Sequence, residues 1–379
     1  MKFSKYFVSL FLFSVFSLSL LHAQEKDSLV IEEYYADGPY LFYLPDGGIR
    51  VVSIDTRGVL KDILHKSDVS DIPFPVVSHS GKHHFEVKLH KISRPAWKHE
   101  KSGKIFIVSD PHGNLDCFVS VLRGNNVINE NYEWIFGKNH LVINGDVFDR
   151  GKDVLPIFWL IYKLEKEAED AGGKVSFLLG NHEPMILGGD LRYMDKMYNH
   201  VSEKLGVKYE EMFSVSTELG RWLGSRNTIE IIGDDLFVHA GLGEEFLNKN
   251  LTVPQVNEEM SRALFMTKQE RNERSELTKF LYGSSGPIWY RGMVLNDEKY
   301  NPLHIDILDK ILEKYQVKRI IVGHTIFPDV ISLYGGKVIG VNVNNKENFE
   351  NVLGRGILIE GDNTFVIGDK GIMRSILKF

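Results

Sequence analysis

The run Leu141-Val142-Ile143-Asn144-Gly145-Asp146-Val147-Phe148-Asp149-Arg150-Gly151 sets a short, wholly apolar stretch against a dense polar turn. The apolar part has the composition of a buried strand, and Gly145-Asp146 is a turn signal. The same texture recurs four times. Ile105-Phe106-Ile107-Val108 leads to Asp110 and His112, Val175 to Leu179 leads to Asn181 and His182, Leu236-Phe237-Val238 leads to His239, and Ile320-Ile321-Val322 leads to His324. Helical patterns lie between these runs, as in Val154 to Ala171, where Leu, Ile and Trp recur at helical spacing. Strands alternating with helices predict an α/β fold in which polar groups gather where the strands end.

Outward from this region the chain changes character. Residues 24–100 are rich in Gly, Pro and alternating patterns, and predict a small β-rich leader segment. Tyr40 to Tyr43, the turn Asp46-Gly47-Gly48 and Ile49 to Val52 read as a hairpin, and His84 to Lys91 as a half-buried strand. The charged stretch Lys98 to Lys104 reads as a linker into a catalytic domain over residues 101–379. At the start, Lys2 and Lys5 precede an apolar run from Tyr6 to Leu21, with small Ala23 before Gln24. This predicts a signal peptide over residues 1–23 and an exported protein, periplasmic or secreted, with no stable membrane span after cleavage. The segment from Pro254 to Phe280 is charged and helical in pattern, as a cap beside the site would be.

Composition narrows the function. With 43% hydrophobic and 25% charged residues, the chain is neither a disordered tail nor a multi-span membrane protein. A formal net charge of −6 argues against a nucleic-acid binder. The single cysteine, Cys117, excludes a Cys-rich zinc site, and nothing around it supplies the phosphate loop of a thiolate phosphatase.

What the strand ends carry is metal chemistry. Of the 14 histidines, four fall at the ends of buried-type strands, among carboxylates. Carboxylate and imidazole donors together suit divalent manganese, iron or zinc. Two such ions about 3.5–4 Å apart clamp a phosphate and generate hydroxide between them. One carboxylate must then bridge, and Asp146 is placed for it. Asp110 and His112 can reach one ion from a single turn, and Asn181, His239 and His324 can complete the other.

Ser109-Asp110-Pro111-His112-Gly113, Gly145 to Gly151 and Gly180-Asn181-His182-Glu183 resemble the signature of calcineurin-like metallophosphoesterases. Val238-His239-Ala240-Gly241, Trp289-Tyr290-Arg291-Gly292 and Val322-Gly323-His324-Thr325 complete it. Asp149-Arg150-Gly151 resembles the phosphoprotein-phosphatase branch, and Gly189-Asp190-Leu191-Arg192-Tyr193 the Shewanella-like protein phosphatases. The resemblance covers about residues 104–345. It implies two mixed β-sheets packed as a sandwich and flanked by helices. It also implies two divalent metal ions, the first held by Asp110, His112 and Asp146, the second by Asp146, Asn181, His239 and His324. His182 is then the general acid, oriented by Asp149, and Arg150 and Arg291 grip the phosphate. The implied substrate is a phosphorylated protein, with phosphotyrosine favoured, or a small phosphomonoester. Ser109 and Ala240 stand where the family has Gly, and Pro184 follows Glu183.

Two other readings stand beside this one. A diadenosine-polyphosphate or other nucleotide hydrolase shares these motifs and requires stacking aromatics near the site, for which Tyr193, Trp222 and Tyr290 are candidates. An inactive metal-binding interaction protein would keep the fold without turnover.

Overall fold

Each apolar run that ends in a polar cluster is a short strand: Lys104–Val108, His140–Ile143, Lys174–Phe177, Asp235–Val238 and Arg319–Val322. The computed structural model describes residues 35–66, 69–101 and 103–378; the signal peptide read in residues 1–23 lies outside them. The first three strands are parallel neighbours, with Phe106 opposite Leu141 and Leu141 opposite Val175. Gly356–Glu360, Asn363–Gly368 and Gly371–Lys378 extend them into a six-stranded mixed sheet. The other two, with Phe237 opposite Ile321, belong to a second six-stranded mixed sheet with Ile229–Ile232, Lys98–His99, Val338–Gly340 and Ile331–Leu333.

Alternation along each strand explains how the sheets stack. Ile105, Ile107 and Val142 of the first sheet share one core with Ile232, Phe237, Ile321 and Ile339 of the second. Their neighbours Phe106, Leu141 and Ile143 face the opposite way, onto helices Leu115–Gly124 and Val154–Asp170. Leu236, Val238, Ile320 and Val322 face the helices on the far side of the second sheet. Strands buried on both faces read as continuous apolar runs rather than alternating ones. The result is the expected sandwich of two mixed sheets flanked by helices.

At the ends of the strands remote from the polar clusters, Arg319 forms a buried fork on Asp235, Nε to Oδ1 at 2.6 Å and Nη2 to Oδ2 at 3.0 Å. Its Nη1 donates to Thr364 of the other sheet, so one guanidinium ties both layers.

The β-rich segment forms a three-stranded sheet, Asp37–Tyr43, Ile49–Ile54 and Leu60–His65, and a two-stranded one, Phe74–Val77 with His84–Val87. The hairpin is present, with Leu41 opposite Val51, while the later strand stops at Val87 rather than Lys91. The linker reading of Lys98 to Lys104 is corrected. Lys98–His99 pairs in parallel with Ile231 and Ile232 at the sheet edge, and Lys104 opens the next strand. Lys98 is exposed and His99 buried, and charged residues on an edge strand discourage further pairing. The charge that suggested a linker therefore belongs to an edge. All the described residues lie in one compact unit. The Pro254 to Phe280 region is three helices, Val253–Ala263, Lys268–Arg274 and Glu276–Leu281.

Removing Asp235 would leave the Arg319 charge buried without its fork. Asp235→Ala is expected to lower the unfolding free energy by about 3–5 kcal/mol, read as a drop in urea midpoint at unchanged slope. A loss below about 1 kcal/mol would mean that Asp235 is not what sustains the buried Arg319 charge.

Candidate metal centre

Five loops meet at one edge of the sandwich. Asp110 and His112 follow Lys104–Val108. Asp146, Asp149 and Arg150 follow His140–Ile143. Asn181 and His182 lie beyond Lys174–Phe177, His239 follows Asp235–Val238, and His324 follows Arg319–Val322. Arg291 comes from the irregular chain between Glu276–Leu281 and Ile305–Tyr315. The structure brings together all ten residues that the sequence singled out.

Asp146 is the hub. Its Oδ2 lies 3.1 Å from His239 Nε2, 3.8 Å from His112 Nε2 and 3.9 Å from His182 Nε2. Two donor groups share it, His112–Asp146–His182 and Asp146–His239–His324, each with its ligand atoms within 4.8 Å of one another. Asn181 Oδ1 is 3.1 Å from His239 Nε2. Asp110 stands against the second group, accepting from His324 N–H at 3.2 Å and from Asn342 Nδ2 at 2.7 Å. A carboxylate oxygen that accepts one hydrogen bond keeps a lone pair for a cation.

The ring orientations favour metal binding. Nδ1 of His112 and of His239 each sits 2.8 Å from a backbone carbonyl, of Phe148 and Asn144. A carbonyl only accepts, so Nδ1 carries the proton and Nε2 turns to the centre as a ligand atom. His324 Nε2 is buried with no hydrogen-bond partner among the described residues. A buried orphan nitrogen is costly, and here it faces a carboxylate and a second imidazole, as a ligand to a cation would. The donor set therefore fits a pair of mid-hardness divalent ions.

Burial pushes His112 down to about 3, against the pull of Asp146, and His324 well below its usual range, so both rings are neutral. Burial also works against a charge on His239, but Asp146 and Asp110 outweigh it and raise that ring to about 9.

The local backbone is specialised for this convergence. Asp110, His112, Asp146, Asp149, Arg150 and His324 all have left-handed φ between 42° and 72°, a region that costs an L-residue and marks functional loops. Gly180 is required by space: a Cβ there would sit 2.2 Å from Asp146 Oδ1. Ser109, in place of the family's Gly, turns its hydroxyl onto Asp110 Oδ1. Pro184 falls in the first turn of helix His182–Leu187, where a backbone N–H has no intrahelical partner to lose.

Beside the hub, His182 Nδ1 lies 2.5 Å from Asp149 Oδ2. Burial lowers the His182 pKa, but Asp146 and Asp149 more than compensate and the net shift is upward. Arg150 and Arg291 each line a separate cleft at the centre. Arg150 is exposed in one of about 530 Å³, and Arg291, held by Thr325 Oγ1 at 2.9 Å, lines one of about 870 Å³.

Several residues went unassigned in the sequence. Glu183 accepts backbone N–H bonds from Asp146, Val147 and Gly180 at 3.1, 2.9 and 2.7 Å. Its only signal was its place inside the Gly-Asn-His-Glu motif. Asn342 and Asn144 had no signal. Of the aromatic candidates, Trp222 is fully buried and stacks on Phe177. Tyr290 is buried, its hydroxyl donating to Asn301 O. It lines the Arg291 cleft with little exposed surface. Tyr193 is the exposed candidate, 50% exposed with its ring 5.6 Å from that of His182. Cys117 is buried in helix Leu115–Gly124, and burial pushes its thiol up to about 12.

Residues 103–328 match the profile of the calcineurin-like phosphoesterase family. An uncharacterized protein of Schizosaccharomyces pombe is 31% identical over 246 residues, 62% of this chain and 71% of its own. Shewanella-like protein phosphatase 1 of Plasmodium berghei is 29% identical over 231 residues, 60% of this chain and 62% of its own. Among solved structures, the cold-active protein-tyrosine phosphatase of a psychrophilic Shewanella species superposes with a TM-score of 0.80 at 30% identity. That match covers 90% of this chain and 99% of the other.

Metal binding through His239 Nε2 must displace the proton that Asp146 and Asp110 hold there up to about pH 9. Apparent metal affinity is therefore expected to rise by about tenfold per pH unit through this group as pH climbs toward 9 and to level off above it, with about one proton released. Calorimetric titration in buffers of different ionisation enthalpy counts that proton; proton-neutral, pH-independent binding would mean that His239 carries no second proton for the metal to displace.

Proposed function

The chain belongs to the calcineurin-like phosphoesterase family, and from that premise we propose a two-metal phosphomonoesterase that acts on phosphoproteins, phosphotyrosine above all. The observation that carries this reading is the His182–Asp149 pair set against two donor groups that share Asp146. Asp110, His112 and Asp146 would hold one ion, and Asp146, Asn181, His239 and His324 the other. When bound, such a pair, manganese among the candidates, supplies Lewis-acid stabilisation of the phosphoryl oxygens and lowers the pKa of water.

The chain's own residues do the rest. Asp149 accepts the Nδ1 proton of His182 and thereby fixes the ring, leaving a proton on Nε2 for the departing oxygen. The upward shift of His182 keeps that acid form populated near neutral pH. Arg150 and Arg291 approach the phosphate from the two clefts, and a guanidinium gives each a two-pronged grip that stays charged. The tyrosine preference is supported by the likeness to the Shewanella protein-tyrosine phosphatase and by Tyr193, the exposed ring beside the acid. The nucleotide reading loses one of its stacking candidates, because Trp222 is packed in the core on Phe177, and Tyr290 offers the Arg291 cleft little exposed ring.

His182→Ala is expected to cut kcat on a phosphoserine peptide by about 10²–10⁴-fold. The cut should be much smaller on p-nitrophenyl phosphate, whose leaving group needs little protonation. Equal losses on both would remove His182 from the acid role. Phosphate release by Asp146→Asn at the wild-type rate would overturn the two-metal reading. We also propose export with cleavage after Ala23, supported by the charged start and apolar run of residues 1–23. Terminal sequencing of the secreted or periplasmic protein should begin at Gln24, and a cytoplasmic protein beginning at Met1 would refute it.

A further inference from the structure

The cleft of about 870 Å³ that opens from Asn181 carries five cationic side chains, Arg192, Lys268, Arg271, Arg291 and Lys299, against one carboxylate, Asp190. Asp190 is already forked onto Arg192 at 2.7 and 2.8 Å. Lys299 meets Asp297 at 3.3 Å, both exposed, a pairing worth little in water. In a chain of net charge −6, this is a local field of the opposite sign. The cleft on the Arg150 side differs, since Lys152 and Lys346 there stand among Asp116, Asp153 and Asp195.

Arg271 is the informative member. It is only 6% exposed, and its side chain lies over the Tyr282 ring at 4.4 Å. Nε donates to Ala263 O at 3.0 Å, and Nη2 to Leu264 O at 2.6 Å and Pro184 O at 2.8 Å. Those bonds cap the end of helix Val253–Ala263, a structural task. They leave Nη1 without a hydrogen-bond partner, and no carboxylate pairs with the guanidinium among the described residues. A buried charge is ordinarily matched by an opposite one, and this one lines an open, cation-rich cleft. Through Pro184 it is braced on the helix that begins with His182.

We propose that this cleft is a second anion subsite, which receives an acidic group on the residues flanking the phosphorylated side chain of a peptide substrate. The group is either a carboxylate or a second phosphate, since both match a guanidinium with lysines around it. The subsite deepens the phosphatase reading and rests on it. Arg291 grips the phosphate under hydrolysis, while Arg271, Lys268 and Lys299 select what lies beside it.

The test uses the full chain and fluorescent peptides bearing a non-hydrolysable phosphonate analogue of phosphotyrosine. The flanking residues are glutamates in one peptide, a phosphoserine in the second and glutamines in the third. The acidic peptides should bind at least about fivefold tighter than the glutamine peptide at low salt, a ratio that shrinks as salt rises. Glutamate and phosphoserine alike favoured means that carboxylates suffice; phosphoserine alone favoured assigns the subsite to a second phosphate. Lys268→Glu and Lys299→Glu, both at exposed positions, should bring the ratio below about twofold. Arg271→Lys, which keeps the charge but loses the fork, should lower it in part. Equal binding of the three peptides, or a preference that survives both charge reversals, overturns the subsite. Turnover of p-nitrophenyl phosphate, which has no flank, tests the phosphatase reading separately: its failure would leave the binding ratio as an independent measure of the cleft.

Discussion

One buried carboxylate holds the centre in place. Glu183 is fully buried and accepts backbone N–H groups from two loops at once, Asp146 and Val147 from one and Gly180 from the other. Burial and the nearby charge of Asp146 raise its pKa, and the N–H donors are what make its charged form tolerable there. Without it, three buried donors would be orphaned, each at about 1–3 kcal/mol, and the turn that aims Asp146 would have no anchor. Glu183 also directly follows His182, so a single helical turn fixes both the hub carboxylate and the acid.

The other loops are tied to that pair in a chain. Asp110, His112 and Gly113 donate their N–H groups to Gly145, Asp146 and Val147 carbonyls at 3.0–3.1 Å. Gly323 N–H reaches His239 O at 2.7 Å, and His324 N–H reaches Asp110 Oδ1 at 3.2 Å. This mesh is what keeps six non-glycine residues in left-handed conformations, which cost about 1–3 kcal/mol each. Strain of that size persists only when several independent bonds determine the same backbone. The price of convergence is therefore carried by backbone hydrogen bonding at the strand ends, which is also why the donors need little reorganisation to receive cations.

What the sequence disclosed and what it hid follow from the range of the forces involved. Strand ends were legible because a doubly buried strand is apolar until it stops, and Asp146, His239 and His324 stand where it stops. The ligand types were legible because metal chemistry admits few residues. Asn342, which holds Asp110 at 2.7 Å, was not, because it is 232 residues away and an isolated Asn resembles any turn. Arg271 was hidden for the same reason, since a charged helix does not say which of its arginines turns inward. Lys98–His99 was misread because an edge strand and a linker are both polar, and only the partner strand tells them apart. Trp222 was misplaced because size and stacking capacity suit a core as well as a ligand site.

The β-rich segment is explained by the helix that leaves the Asp149–Arg150 turn. Val154–Asp170 buries every residue from Val154 to Tyr162, and a helix that is apolar all round needs cover on all sides. The first sheet supplies one side. The N-terminal strands and the chain that follows them supply another: Trp159 Nε1 donates to Pro39 O at 2.9 Å, and Tyr162 Oη accepts from His90 N–H at 2.9 Å while donating to Glu218 Oε1 at 2.6 Å. At the head of the helix, Asp153 accepts the His79 N–H at 2.7 Å and pairs with its ring at 2.8 Å. Asp153 lies three residues beyond Arg150, so these bonds brace the turn that presents Asp149 to His182. Residues 35–101 hold none of the expected ligands, yet they supply the counter-surface against which the acid's partner is positioned. The motifs name the chemistry, and the segment outside them sets its geometry.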